Sequence, residues 1–214
     1  MTPLIAGLAV LGLAWGFAAD RIAAHWPAHE DGSVRGRDWR TILVPLIGAL
    51  ALGDLGRRFP DTGSTVLFGL VFVVLILLLA TDLDQRLLPD EITLPFALLA
   101  GVYGLTGLNP LIGHAVPGAM LPALIGAIVI PAIFFILSIP FGPGALGIGD
   151  VKLLFGVGLL AGLERTAFGV IVGVLVSGVV IIALLATRRI GLKSFIPYGP
   201  FLIVGAFWAV LLQS

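Results

Sequence analysis

Two aspartates in this sequence have the surroundings that acid–base chemistry requires. Asp82 follows directly on LVFVVLILLLAT, the most apolar run of the chain; Asp150 stands behind Gly147 and Gly149 in GIGDVK, between two further apolar runs. A carboxylate near hydrocarbon costs about 2.5–3.5 kcal/mol at a helix centre, so each is expected to have a partner, water or a task. Glycine removes side-chain bulk, so Gly147 and Gly149 let another backbone approach Asp150. Two carboxylates that face one another do not both ionise readily and share one proton. The ionised member can then take a proton from water while the protonated member polarises a peptide carbonyl, which is hydrolysis without metal or cofactor. The proton relay of a small transporter uses the same groups, although such relays usually sit at the bilayer midplane on broken helices within internal repeats. Here both acids lie at the ends of apolar segments and no repeat is evident.

The elements that must position these acids are set by composition. The 214 residues are 59% hydrophobic and 11% charged, with a mean hydropathy of +1.14, against roughly 25% charged in a soluble domain. This is the composition of an all-α membrane bundle. A formal net charge of zero without a basic block argues against a nucleic-acid partner, and the absence of cysteine excludes disulfides, thiol catalysis and thiolate metal sites. The 29 glycines suit close helix packing in lipid. About eight membrane-spanning segments are expected, near 3–22, 39–56, 63–81, 91–108, 115–140, 145–163, 166–187 and 195–212. Pro122 and Pro131 predict a kink or tilt in the fifth. The first segment lacks the basic start of a cleaved signal and is read as an anchor. The expected division is an anchoring part, 1–62, and a catalytic part, 63–214.

The polar linkers add little chemistry. His25 and His29 have a spacing that suits a metal on a helix, but Pro27 between them disfavours the helix, so 23–39 is read as a solvated loop with no metal. In TDLDQRLLPDEIT, Pro89 opens a new helix, and Asp90 and Glu91 fall in its first turn, where the helix dipole favours negative charge. Asp84, two residues after Asp82, points away from it. Solvation and capping are the expected roles of Asp84 and Asp90.

Taken together, these stretches resemble the type IV prepilin peptidases, a family of GxGD intramembrane aspartic proteases. The resemblance rests on TDLDQRLLPDEITLP, with Asp82 seven residues before Pro89, on GIGDVK, and on the closing IPYGPFLIVGAF with its Pro-x-Gly-Pro, over about residues 65–207. It implies a pair of catalytic aspartates, Asp82 and Asp150, that activate water and protonate the leaving amine. Gly147 and Gly149 would give room for substrate backbone, with Pro89 shaping the site and Lys152 holding local charge or snorkelling to the headgroups. It further implies a prepilin or pseudopilin substrate, a bacterial inner-membrane location and no cofactor. Many family members carry four zinc-binding cysteines between the first two segments and methylate the new amino terminus. Here that place holds a short loop without cysteine, so N-methylation by this chain is not expected.

Charge sets the expected orientation. With the N-terminus outside, the inner loops collect nine of the 12 Lys and Arg residues, leaving only Arg57, Arg58 and Arg165 outside. That places both acidic clusters on the cytoplasmic side. Reporter fusions after residues 30, 86 and 190 should therefore read as cytoplasmic, and fusions after 60, 112 and 165 as the opposite side. An inverted pattern would remove the cytoplasmic placement of both aspartates.

Overall fold

A computed structural model of the chain describes residues 2–29, 32–112, 120–141, 147–191 and 198–212. The described residues hold seven α-helices: α1 Pro3–Ala23, α2 Arg40–Arg58, α3 Thr62–Gln85, α4 Asp90–Leu105, α5 Met120–Ser138, α6 Ile148–Ala186 and α7 Gly199–Leu211. A single 3-10 turn, Ile139–Phe141, follows α5. The all-helical class is as the sequence leads one to expect. Four helices, α1, α3, α5 and α6, are long and apolar enough to cross a membrane, fewer than the eight segments anticipated.

The helix starts follow local chemistry. Thr2 caps α1 ahead of Pro3, and the Asp61 side chain accepts from the Ser64 N–H at 2.8 Å to cap α3. At its other end α3 stops at Arg86, whose left-handed backbone (φ 57°) lets its N–H reach the Asp82 carbonyl. Pro89 then serves as the N-cap of α4, with Asp90 and Glu91 in the first turn as anticipated.

α3 is the centre of the bundle. Phe68, Val71, Phe72, Leu75, Ile76 and Leu78 along it are fully buried. The Trp15 indole of α1 donates to the Val73 carbonyl at 2.9 Å, and Phe207 of α7 packs edge-on against Phe72 with centroids 4.9 Å apart. The outward surface is the reverse: Leu50, Leu98 and Val179 are 74%, 69% and 69% exposed. A surface this apolar is built for hydrocarbon rather than water.

α6 spans the two segments expected at 145–163 and 166–187, which follow one another in a 39-residue element broken near the expected gap. At 1.5 Å per residue a straight helix of that length would run about 58 Å, nearly twice the hydrocarbon core. It is not straight. Gly162 has φ 76° and ψ 178°, a conformation open only to glycine, and the helix breaks there. Beyond the break Gly169 meets Gly205 and Gly173 meets Phe201, so the second half runs antiparallel to α7. α7 begins at Gly199 against Asp82, and the first half of α6 begins at Asp150 in a cavity shared with Asp82. Both ends of α6 thus lie toward the same end of α3, and the chain doubles back at Gly162.

The α6–α7 contact has no room for a side chain. Gly169→Ala would drive its methyl into the Gly205 carbonyl and the Ala209 side chain, whereas Gly178 faces open space. Gly169→Ala is expected to cost about 1–3 kcal/mol by overpacking, and Gly178→Ala to stay within about 0.5 kcal/mol. Thermal unfolding in detergent, read against the unsubstituted protein, checks both.

Candidate active site

Asp82 lies in the last turn of α3 and Asp150 in the first turn of α6, and the turn at Arg86–Pro89 brings these helix ends together. Both carboxylates line one cavity of about 370 Å³, with Arg86, Leu88, Asp90, Gly147 and Lys152 around it. Asp82 is only 4% exposed, and its Oδ2 has no hydrogen-bond partner among the described residues. Asp150 is half-buried and its Oδ2 accepts from the Gly147 N–H at 3.2 Å, so it caps its own helix. The two acids therefore sit in opposite fields: Asp150 at a helix N-terminus, which favours negative charge, and Asp82 at a C-terminus, which does not.

The glycines anticipated near Asp150 have distinct settings. A methyl group on Gly149 would lie 2.8 Å from Leu88 Cβ and 3.2 Å from the Leu88 carbonyl oxygen. The close approach that Gly149 permits is thus made by the chain's own Leu88–Pro89 turn. Gly147 is exposed at the cavity wall, where a methyl would stand 3.2 Å from Asp150 Oδ2. Pro89 anchors the turn from the other side, its carbonyl accepting from the Thr93 N–H and hydroxyl. Lys152 Nζ donates to Asp90 Oδ1 at 2.5 Å, tying the start of α6 to the start of α4. Asp90 is therefore more than a solvated first-turn acid, although at 56% side-chain exposure the pair contributes at most about 1 kcal/mol.

Gly199 escaped the sequence reading. A methyl there would strike Asp82 Oδ2 and lie 2.6 Å from its Cγ, so the first residue of α7 walls the Asp82 carboxylate. The only signal for it was its place in the closing Pro-x-Gly-Pro. Residues 142–146 of the GxGD stretch, and Ile196 and Pro197 of the closing segment, lie outside the described residues.

Asp84 corrects an expectation. It points away from Asp82, as its spacing requires, but its side chain is 1% exposed rather than solvated. Arg40 Nη1 at 2.5 Å, His29 Nε2 at 3.0 Å and Arg35 Nε all converge on it. The Arg35 guanidinium also reaches Asp20, fully buried in α1, at 2.5 Å, and Thr41 Oγ1 donates to Asp20 at 2.9 Å. Burial works against the charge of Arg35. The hydrogen bond and charge of Asp20, with the charges of Asp84 and Asp38, outweigh it and hold the group above its ordinary pKa. Gln85 adds a bond of 2.6 Å to the Pro27 carbonyl. The loop between α1 and α2, expected to be solvated, is instead latched onto the end of α3 that carries Asp82. His25 turns back to the Arg21 carbonyl of its own helix end.

Residues 69–187, more than half of the chain, match the type IV leader peptidase family. A prepilin leader peptidase/N-methyltransferase of Aeromonas salmonicida (strain A449) is 31% identical over 169 residues, 79% of this chain and 57% of the relative. A protein of the same description from Pseudomonas aeruginosa is 27% identical over 204 residues, 82% of this chain and 67% of the relative. One from Burkholderia pseudomallei (strain 1026b) is 29% identical over 158 residues, 74% and 50%. The chain thus spans roughly half to two thirds of the curated relatives it matches. No solved structure gives a significant match.

The latch has an energetic consequence. Asp84→Ala would remove the carboxylate that Arg35, Arg40 and His29 share, leaving Arg35 to Asp20 and Asp38 and Arg40 to Asp38, and breaking a buried pair costs about 3–5 kcal/mol. Arg35 and Arg40 keep 13% and 21% side-chain exposure, so the lower end, about 3 kcal/mol, is expected. Asp38→Ala, at a carboxylate 32% exposed, should cost no more than about 1 kcal/mol. Melting temperature and protease cutting within 24–39, measured together, separate the two cases.

Proposed function

The chain belongs to the type IV leader peptidase family, and from that premise we propose that it is an intramembrane aspartic endopeptidase that removes the leader of a prepilin or pseudopilin. One observation carries this reading: carboxylates from two different helices line one cavity, and the more buried of them, Asp82, aims an oxygen without a hydrogen-bond partner among the described residues into the bundle beside it. A structural carboxylate at that depth would be neutralised, as Asp84 is.

In the proposed reaction the substrate's extended backbone lies across the cavity with a water between the carboxylates. Asp150, at the helix end that favours negative charge, takes a proton from the water. Asp82, at the opposite kind of helix end, holds the shared proton and passes it to the scissile carbonyl oxygen as the hydroxide adds to carbon. In the second step Asp150 returns its proton to the leaving amine as the C–N bond breaks. Asp82 recovers a proton as the carboxyl product forms, so the pair ends as it began. Pro89 and Gly149 hold the two helix starts at the required spacing, Gly147 keeps the wall beside Asp150 thin, and Lys152 fixes Asp90 at the rim. No metal or cofactor takes part.

The finer placement follows from the charge bias. The site lies at the cytoplasmic face of the bacterial inner membrane, where a basic leader would remain. On this reading the two halves of α6 each count as a crossing, with α1 and α2 as an anchoring part and the remainder as the catalytic part. The curated relatives are also named N-methyltransferases. Without cysteine, and with a short first loop, this chain is proposed to cleave without methylating.

Asp82→Asn and Asp150→Asn should each abolish cleavage of a prepilin by the purified chain, a loss of at least about a thousandfold, while insertion and melting temperature are kept. The double variant should be no worse than either single one, because residues that act as a unit are not additive. Asp90→Asn should keep most of the activity, and a chelator should change nothing. Full turnover by Asp150→Asn would overturn the aspartic mechanism.

A further inference from the structure

A second concavity of about 470 Å³ opens beside the dyad, between α4, α5 and the first half of α6. Its walls are almost wholly apolar. Leu94 and Ala97 come from α4, Pro131, Ala132 and Phe135 from α5, and Phe155 from α6. Its origin is visible in the packing. α6 is pressed against its neighbours at two glycines: a methyl on Gly156 would lie 2.6 Å from the Phe96 ring, and one on Gly158 would lie 2.5 Å from Ala127 Cα. From those contacts toward the start of α6 the three helices part, and Ala97 and Ala132 leave the space unfilled.

The position of this groove points to its occupant. Val151 and Lys152 line it, and they are the residues directly after Asp150; Lys152 also lines the dyad cavity. The two spaces therefore adjoin at Lys152, and their chemistry divides sharply. The dyad cavity holds Asp82, Arg86, Asp90, Asp150 and Lys152, whereas Lys152 is the one titratable residue lining the groove. A ligand lying through both must be polar where it crosses the carboxylates and apolar immediately afterwards. It must also enter from the bilayer, because the α5 wall of the groove is outward-facing: Ile128 and Phe135 are 62% and 56% exposed.

We propose that this groove binds the apolar segment of the substrate that directly follows the scissile bond, seating it as a helix between α4, α5 and α6 so that the bond falls across Asp82 and Asp150. The proposal rests on the peptidase reading above and adds the binding site for one side of the substrate. The groove fixes where the polar-to-apolar boundary of the substrate stops, and Lys152, at the junction, marks that boundary. Specificity then comes from apolar fit in the groove as well as from sequence at the cleaved bond.

The test compares two substrates: a full-length prepilin, and a short peptide covering the cleavage site but ending before the apolar segment. Ala132 is exposed on the groove wall, so Ala132→Trp fills the groove while leaving the core unchanged. The ratio of kcat/KM for the long over the short substrate should fall about tenfold, through KM for the long one. Val179→Trp, 69% exposed on the second half of α6, should leave that ratio unchanged. An unchanged ratio in Ala132→Trp, or an equal loss on both substrates, would overturn the proposal. Binding is read separately, with a photoreactive residue in place of Phe135 in the Asp82→Asn chain. Capture of the prepilin's apolar segment is expected, and capture of lipid alone would overturn the groove assignment. Failure of the unsubstituted chain to cut either substrate would instead defeat the peptidase reading, and the crosslink would still report on the groove.

Discussion

Two carboxylates two residues apart at the end of α3 meet opposite fates, and the organisation of the site follows from that difference. Asp84 is neutralised by Arg35 and Arg40, with His29 Nε2 beside it, all drawn from the loop between α1 and α2 and the start of α2. Asp82, equally deep, is walled by Gly199 and shares its cavity with another acid. A buried charge without a cation is costly in an apolar bundle. The same helix end can bear one such group because the other is tied into a balanced network, in which Arg21, Arg35 and Arg40 meet Asp20, Asp38 and Asp84. The latch also fixes the last turn of α3, so the direction of Asp82 does not depend on its own side-chain contacts.

Asp150 reaches Asp82 through packing rather than through ion pairs. α6 leaves the site, turns at Gly162 and returns alongside α7, so its first half rests on α4 and α5 and its second half on α7. The glycines along α6 set these distances. Gly149 admits the Leu88–Pro89 turn, and Gly156 admits Phe96. In lipid, where apolar burial between helices gives little drive, backbone-close contacts of this kind are what hold helices in register.

How much of this was legible in the sequence depends on the range of each interaction. Asp82, Pro89 and the GxGD stretch could be found because each is defined by near neighbours, and the helix starts at Asp61 and Pro89 obey local capping rules. The latch was not legible. Its members, Asp20, His29, Arg35, Arg40 and Asp84, are spread over more than sixty positions, and a loop with mixed charges looks solvated until its partner is placed. The pairing of Asp90 with Lys152 joins residues 62 apart in the chain and was hidden for the same reason. Gly199 carried no signal of its own, because what matters there is missing bulk opposite a residue more than a hundred positions earlier. The reversal at Gly162 lay close to the gap anticipated between the sixth and seventh segments, but hydropathy alone shows neither its φ of 76° nor the partner of each half.

The wall that Gly199 gives to Asp82 has a consequence in biosynthetic time. During translation the chain acquires Asp82 with α3 and Asp150 with α6, both before α7 exists. The cations that neutralise Asp84 are already made when α3 emerges, whereas the surface that encloses Asp82 comes after residue 198. A half-made chain in the membrane thus holds both acids with one side of the deeper one open. The site matures by enclosure, and the order of synthesis delays that enclosure until α7 has found the end of α3.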